Sequence, residues 1–243
     1  MKDDLAPVEA EPAEAPAVSI DVLMDGAKKA CANAEALFAE AKLLGEHGAI
    51  ARALCLHQIS LEECSKLEFL GAWSMSLVRG HELNPRRAAS AFSSHAAKNK
   101  LNAYMLDPSE AELEAREKGD WAASLAEFQK TQNEFHLVSN NNKNASLYVD
   151  WTGTEFVAPV DAITVELVAE ISELNERFIK HAQLQLRMFE RLQSEGDVLK
   201  PELAKLMETL EGLRTDSVEA RIAGSDAAMA EFFEAVLSKR NEA

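Results

Sequence analysis

Apolar residues recur at helical spacing from near the start of the chain. Leu23, Ala27, Ala30, Ala34, Leu37 and Ala41 lie three or four residues apart, which predicts a helix from about Ser19 to Leu44, with Gly45 and Gly48 as stop signals. The next segment, residues 48–79, has a different pattern. Leu56, Ile59, Leu61, Leu67, Phe69, Leu70 and Trp73 point to several faces at 100° per residue, and the run ends at Gly80. A helix apolar nearly all round is surrounded by others, so this is the expected central helix.

Further start and stop signals follow. Asn84 and Pro85 read as an N-cap and first helical residue, opening a third helix to about Leu106. Asp107 and Pro108 repeat the signal for a fourth, to about Val138, with a bend at Gly119. An irregular stretch, Ser139 to Val160, encloses an extended-looking run from Ser146 to Trp151. A long fifth helix is expected from about Asp161 to Gln193. Two weaker ones follow near 201–214 and 216–239. There is no internal repeat. The expectation is an all-α protein, an antiparallel helical bundle over residues 18–193 with a C-terminal helical extension over 194–243. Residues 1–17 are Pro, Ala and acid without periodicity, and read as a disordered acidic tail.

Composition agrees with this picture. The chain has 243 residues, 47% of them apolar, 6% aromatic, with only 10 Gly and 7 Pro, which argues for long helices over a sandwich or barrel. The net charge of −16 opposes broad, non-specific binding to nucleic acid or anionic membrane. Cys31, Cys55 and Cys64 are odd in number and lack C-x-x-C spacing, so they are expected to be small buried residues in a reducing cytoplasm. No apolar stretch approaches the ~18 residues of a membrane span. The start carries Asp3, Asp4 and Glu9 where a signal peptide would be basic. A cytoplasmic protein without membrane contact is expected.

Charge distribution supplies the candidate chemistry. Residues 76–106 carry Arg79, Arg86, Arg87, Lys98 and Lys100 against one acid, Glu82. On a continuous third helix Arg87, Ser94, His95, Lys98 and Asn102 form one polar stripe. Arg and Lys side chains here could hold a phosphate, and His95 could move a proton near neutral pH. A solvated basic face explains the same stripe. In the central helix, Lys66 is spaced i, i+4 from Glu62 and i, i+3 from Glu63, and both spacings suit ion pairing. Buried charges need partners, so each Glu is expected to meet Lys66 or a base from another helix. Two roles are open, an internal structural network or the orientation of His95 or Lys143. His57 is expected to be a satisfied core histidine.

Other chemistries lack their motifs. There is no Gly-rich phosphate loop, G-x-S-x-G, H-E-x-x-H or E-x-x-H. No metal site and no cofactor are expected.

Three blocks carry a resemblance. The helix from Ala53 to Leu70, with Glu62, Glu63 and Lys66, resembles the EE-x-x-K helix of the AbiV-like abortive-infection proteins of the HEPN group. His95 and Lys98 are similar to the family's H-x-x-K. Lys143, Leu147, Tyr148, Val149 and Asp150 are similar to its K-x-x-x-LYVD. The resemblance covers about residues 20–190. It implies a HEPN-like bundle, a homodimer and a role in bacterial anti-phage defence, stopping growth or translation in infected cells. It also implies one common site, in which His95, Glu63, Lys98 and Asp150 are the catalytic candidates. Lys143 and Tyr148 join Arg87 and Asn102 as substrate or anion contacts, and Glu62 and Lys66 support them. Many HEPN relatives are metal-independent ribonucleases with an R-x4-6-H motif. Here seven residues separate Arg87 from His95 and three separate Arg177 from His181, so neither pair fits. Two functions are therefore carried forward. One is an effector acting on RNA or a nucleotide. The other is a non-enzymatic module that binds a phage-encoded or translation-related protein.

Overall fold

Ser19 opens the first helix, its Oγ accepting from Val22 N at 3.3 Å. The computed structural model describes residues 18–103, 106–213 and 218–242. Helix α1 spans Ile20–Glu46 and α2 spans Ile50–Val78. Two short helices, α3 (Pro85–Ser93) and α4 (His95–Asn102), precede α5 (Glu110–Glu117) and α6 (Trp121–Ala145). A two-stranded hairpin, β1 (Asp150–Trp151) and β2 (Phe156–Val157), leads to α7 (Pro159–Ala162) and α8 (Val165–Ser194). Helices α9 (Gly196–Gly212) and α10 (Val218–Glu242) follow. The fold is all-α. The tail expected over residues 1–17 lies outside the described residues.

Helix α2 is the centre, as its all-round apolar pattern requires. Leu61 and Leu67 are fully buried in a core with Ala30, Cys31, Ala34, Phe178, Ile179 and Ala182. Burying one such leucine is worth about 1.5–3 kcal/mol. Helix α1 turns back along α2 through Gly48, which holds φ +78°, and Gly80 ends α2 at φ +78°. These are left-handed positions that favour glycine. Helix α8 runs parallel to α2. Val168 packs with Ala53 and Leu54, Asn175 bonds His57, and Phe189 reaches Gly71. Helices α9 and α10 pack together and meet the bundle where Leu192 and Val78 join Leu199 and Val236.

The core accepts polar groups where they satisfy one another. Ser60 Oγ lies 2.8 Å from Ala34 O and 3.1 Å from Asn175 Oδ1, tying α2 to α1 and α8. Asn175 Nδ2 is 3.1 Å from His57 Nδ1. His57 is 1% exposed, and burial, helped by Lys42, pushes its pKa down to about 4. It is a core histidine. All three cysteines are buried and free.

Several boundaries differ from expectation. The third helix breaks at Ser94, whose Oγ accepts from Ala97 N and starts α4 afresh. The fourth starts at a Ser109 cap and divides at Gly119, φ +70°. Its second part, α6, continues to Ala145 through the Asn-rich run expected to be irregular. Thr164 caps α8, leaving α7 as a separate turn. Among the described residues no helix is long and apolar enough to cross a membrane.

Candidate functional site

Glu62 is set into the apolar helix α2, and α4 and α6 close over it with His95, Lys98 and Lys143. Helix α4 can lie there because Ser94 ends α3 and redirects the chain. Asn102 Nδ2 then donates to Leu61 O at 2.9 Å, pinning α4 on α2. Helix α6 presents Gln132, His136, Ser139 and Lys143, spaced four, three and four residues apart and so on one face. Gln132 Nε2 donates to Lys100 O at 3.0 Å, and Ser139 is 3% exposed. Arg52 fixes the end of α6, its Nη1 reaching Ser146 O at 3.1 Å and Leu147 O at 3.3 Å. That anchor sets where Lys143, in the last turn, can point.

Glu62 is the hub. Its Oε1 accepts from Lys143 Nζ at 2.7 Å. Its Oε2 lies 3.3 Å from Lys98 Nζ and is hydrogen-bonded to His95 Nδ1. The carboxylate is 3% exposed, Lys98 7% and Lys143 13%, whereas the His95 side chain is 61% exposed. Burial opposes ionisation of Glu62. The hydrogen bonds from Lys143 and His95 outweigh it and hold the carboxyl below its ordinary range. One carboxylate thus faces two ammonium groups and an imidazole, so the cluster carries net positive charge even with His95 neutral. With Nδ1 on Glu62, Nε2 is the ring nitrogen left to solvent. A carboxylate fixing one imidazole nitrogen and leaving the other open suits proton transfer.

The other candidates sit elsewhere. Glu63 Oε1 pairs with Lys66 Nζ at 2.5 Å, and that ammonium lies 5.1 Å from the Phe92 ring centroid. The orienting part sketched for the Glu62–Glu63 pair therefore falls to Glu62. Asn102 is 1% exposed, and its Oδ1 has no hydrogen-bond partner among the described residues; through its Nδ2 it is a buried fastener of α4. Tyr148 is 64% exposed, and Asp150 Oδ1 accepts from Trp151 N at 2.8 Å within the hairpin. Neither makes a hydrogen bond or ion pair with the Glu62 cluster among the described residues. Arg87 lies in α3, apart from α4, and its side chain lies outside the described residues. Sequence reasoning missed Arg52. Its signal was the same as for Glu62, a charge set in an otherwise apolar helix. Among the described residues no group of three or more His, Cys, Asp or Glu side chains could hold a metal ion.

The HEPN_AbiV family model, described as AbiV, matches residues 22–180, and this stretch contains Glu62, His95, Lys98 and Lys143. The chain belongs to the AbiV family. A relative from Sinorhizobium fredii (strain NBRC 101917 / NGR234), named "Uncharacterized protein y4gJ", is 46% identical over 125 residues. That alignment covers 51% of this chain and 64% of the relative, so the chain spans under two thirds of the relative's length. No solved structure matches the chain. The family match covers α1 to the first half of α8, the elements that build the Glu62 cluster, and stops short of α9 and α10.

Proposed function

We propose that this AbiV-family protein is an abortive-infection effector of anti-phage defence that acts on RNA or a nucleotide at the His95 surface. The observation that carries this is the pairing of a buried, ionised Glu62 with an exposed His95 over two nearly buried lysines. The excess positive charge favours an approaching phosphate. In RNA cleavage, His95 Nε2 would take the proton of the 2′-hydroxyl as its oxygen bonds phosphorus. The bond from phosphorus to the 5′-oxygen breaks, and that oxygen leaves with a proton from water. The test is to incubate the purified protein with total RNA and with tRNA in low salt, beside His95→Ala. Cleavage, transfer or binding by the parent and its loss in the variant are expected. No cleavage, transfer or binding would sink the proposal.

A second reading draws on the burial of the same cluster. Glu62 and Lys98 are almost sealed from solvent, as members of a structural network would be. On that reading the chain is a non-enzymatic module acting through a phage-encoded or translation-related protein. Replacing His95 separates the two, because only the chemical reading loses activity with the fold intact.

A further inference from the structure

The hairpin leaves its apolar side chains in solvent. Tyr148 is 64% exposed, Val149 62%, Trp151 52% and Phe156 75%. Trp151 and Phe156 face each other across the strands, ring centroids 4.8 Å apart, in register as a β pair. The turn between them is closed by Thr152 and by Gly153 at φ +99°. Past the hairpin, Val160 is also exposed, at 79%. Aromatic side chains held in a fixed geometry and open to water are the usual anchors of protein contacts.

The stretch of chain that carries this patch has charge of one sign. From Asn144 to Glu176 there is no Lys, Arg or His, while Asp150, Glu155, Asp161, Glu166, Glu170, Glu173 and Glu176 are all acidic. Asp150, Glu155, Asp161 and Glu166 are exposed, and Asp150 and Glu155 belong to the hairpin itself. Arg52 is committed to the carbonyls of Ser146 and Leu147, just ahead of the hairpin. Such a field repels a polynucleotide, although aromatic faces alone would stack bases. It attracts a cationic side chain, which gains both an ion pair and a cation–π contact on Trp or Tyr.

We infer that the hairpin around Trp151 and Phe156 is a docking surface for an arginine-rich, partly apolar protein segment. The surface is separate from the His95 chemistry. It names what a protein partner would present, whether or not His95 moves a proton. The anion-contact role expected of Tyr148 gives way to a cation-contact role.

The experiment titrates the full chain with a short synthetic peptide alternating arginine and leucine, at physiological salt, followed by tryptophan fluorescence and by calorimetry. A peptide with glutamate for arginine and a single-stranded RNA oligonucleotide are run beside it. Binding of the arginine peptide alone is expected. On the order of tenfold weaker binding is expected for Trp151→Ala/Phe156→Ala and again for Glu155→Lys. Leu137→Ala, at an exposed apolar site on α6, retains the parent affinity. Circular dichroism establishes that each variant is folded. Unchanged affinity in both hairpin variants overturns the inference. So does RNA binding that both hairpin variants abolish, or self-association of the parent that Trp151→Ala/Phe156→Ala removes. None of these readouts uses His95, so failure here is distinct from failure of the RNA proposal.

Discussion

Glu62 and Lys143 meet at 2.7 Å although they are 81 positions apart in sequence. The pair crosses from the central helix α2 to the last turn of α6. Lys143 is 13% exposed and Glu62 3%, so their attraction is screened little by water. Desolvating both is costly, and the cost is recovered only while Lys98 and His95 complete the set.

Glu62→Gln should therefore be strongly destabilising. It removes the one carboxylate paired with Lys98 and Lys143 among the described residues and leaves two nearly buried ammonium groups without that compensation. Breaking a buried pair costs about 3–5 kcal/mol, on the order of 10 °C in a chain of this size. Glu63→Gln should cost less, because Lys66 keeps the Phe92 face and is 18% exposed. Thermal melts of both variants check this. Equal losses would mean that Glu62 is not the hub.

The central helix and its charged run were legible because both signals are local. An apolar pattern on every face marks α2, and a charge inside such a helix demands a partner. Which glutamate serves His95 was not legible. Glu62 and Glu63 differ by one 100° step, and only the placement of α4 and α6 decides between them. That placement rests on Ser94, where the serine leaves a helix to cap the next. Serine in a helical window is weakly unfavourable at most, so pattern alone carries the helix through it. The split also separates Arg87 from the stripe it shared with His95. Arg52 carried the same signal as Glu62, but its partners are backbone carbonyls ninety-odd residues away, which no side-chain pattern records.

His95→Gln should behave differently from Glu62→Gln. The imidazole is 61% exposed, and Glu62 keeps both lysines when it goes. A stability loss of about 1 kcal/mol or less is expected. If the protein acts on RNA or nucleotides, activity and phage defence should fall sharply with the fold intact. A variant that melts like the parent and still defends cells would leave His95 without a chemical role.

The thiols should be inert in the native protein. Cys31 is 2% exposed, and burial, with Glu35 nearby, raises its pKa to about 11. Cys55 and Cys64 are each 4% exposed, and burial raises both. A thiolate-specific reagent at neutral pH should label none of the three until denaturant is added. Rapid labelling under native conditions would contradict the packing of α1 on α2.

Acid should destabilise the fold before the carboxylates titrate, through His57. Its Nδ1 is 3.1 Å from Asn175 Nδ2, which can only donate, so the ring is neutral where it sits. Its folded pKa is about 4, against about 6.5 for an unfolded histidine. Between those values the unfolded chain binds a proton that the folded chain refuses. The stabilising contribution is thus complete above about pH 6.5, declines as pH falls and is lost by about pH 4, a total of about 3 kcal/mol. His57→Phe isolates this effect. Phe38 already packs edge-on against the ring at 5.5 Å, so an aromatic fits, although Asn175 loses one acceptor and overall stability drops. Denaturant unfolding from pH 7 to pH 4 should show the variant losing less stability than the parent as pH falls. Two parallel curves would mean that His57 takes up its proton within the folded core.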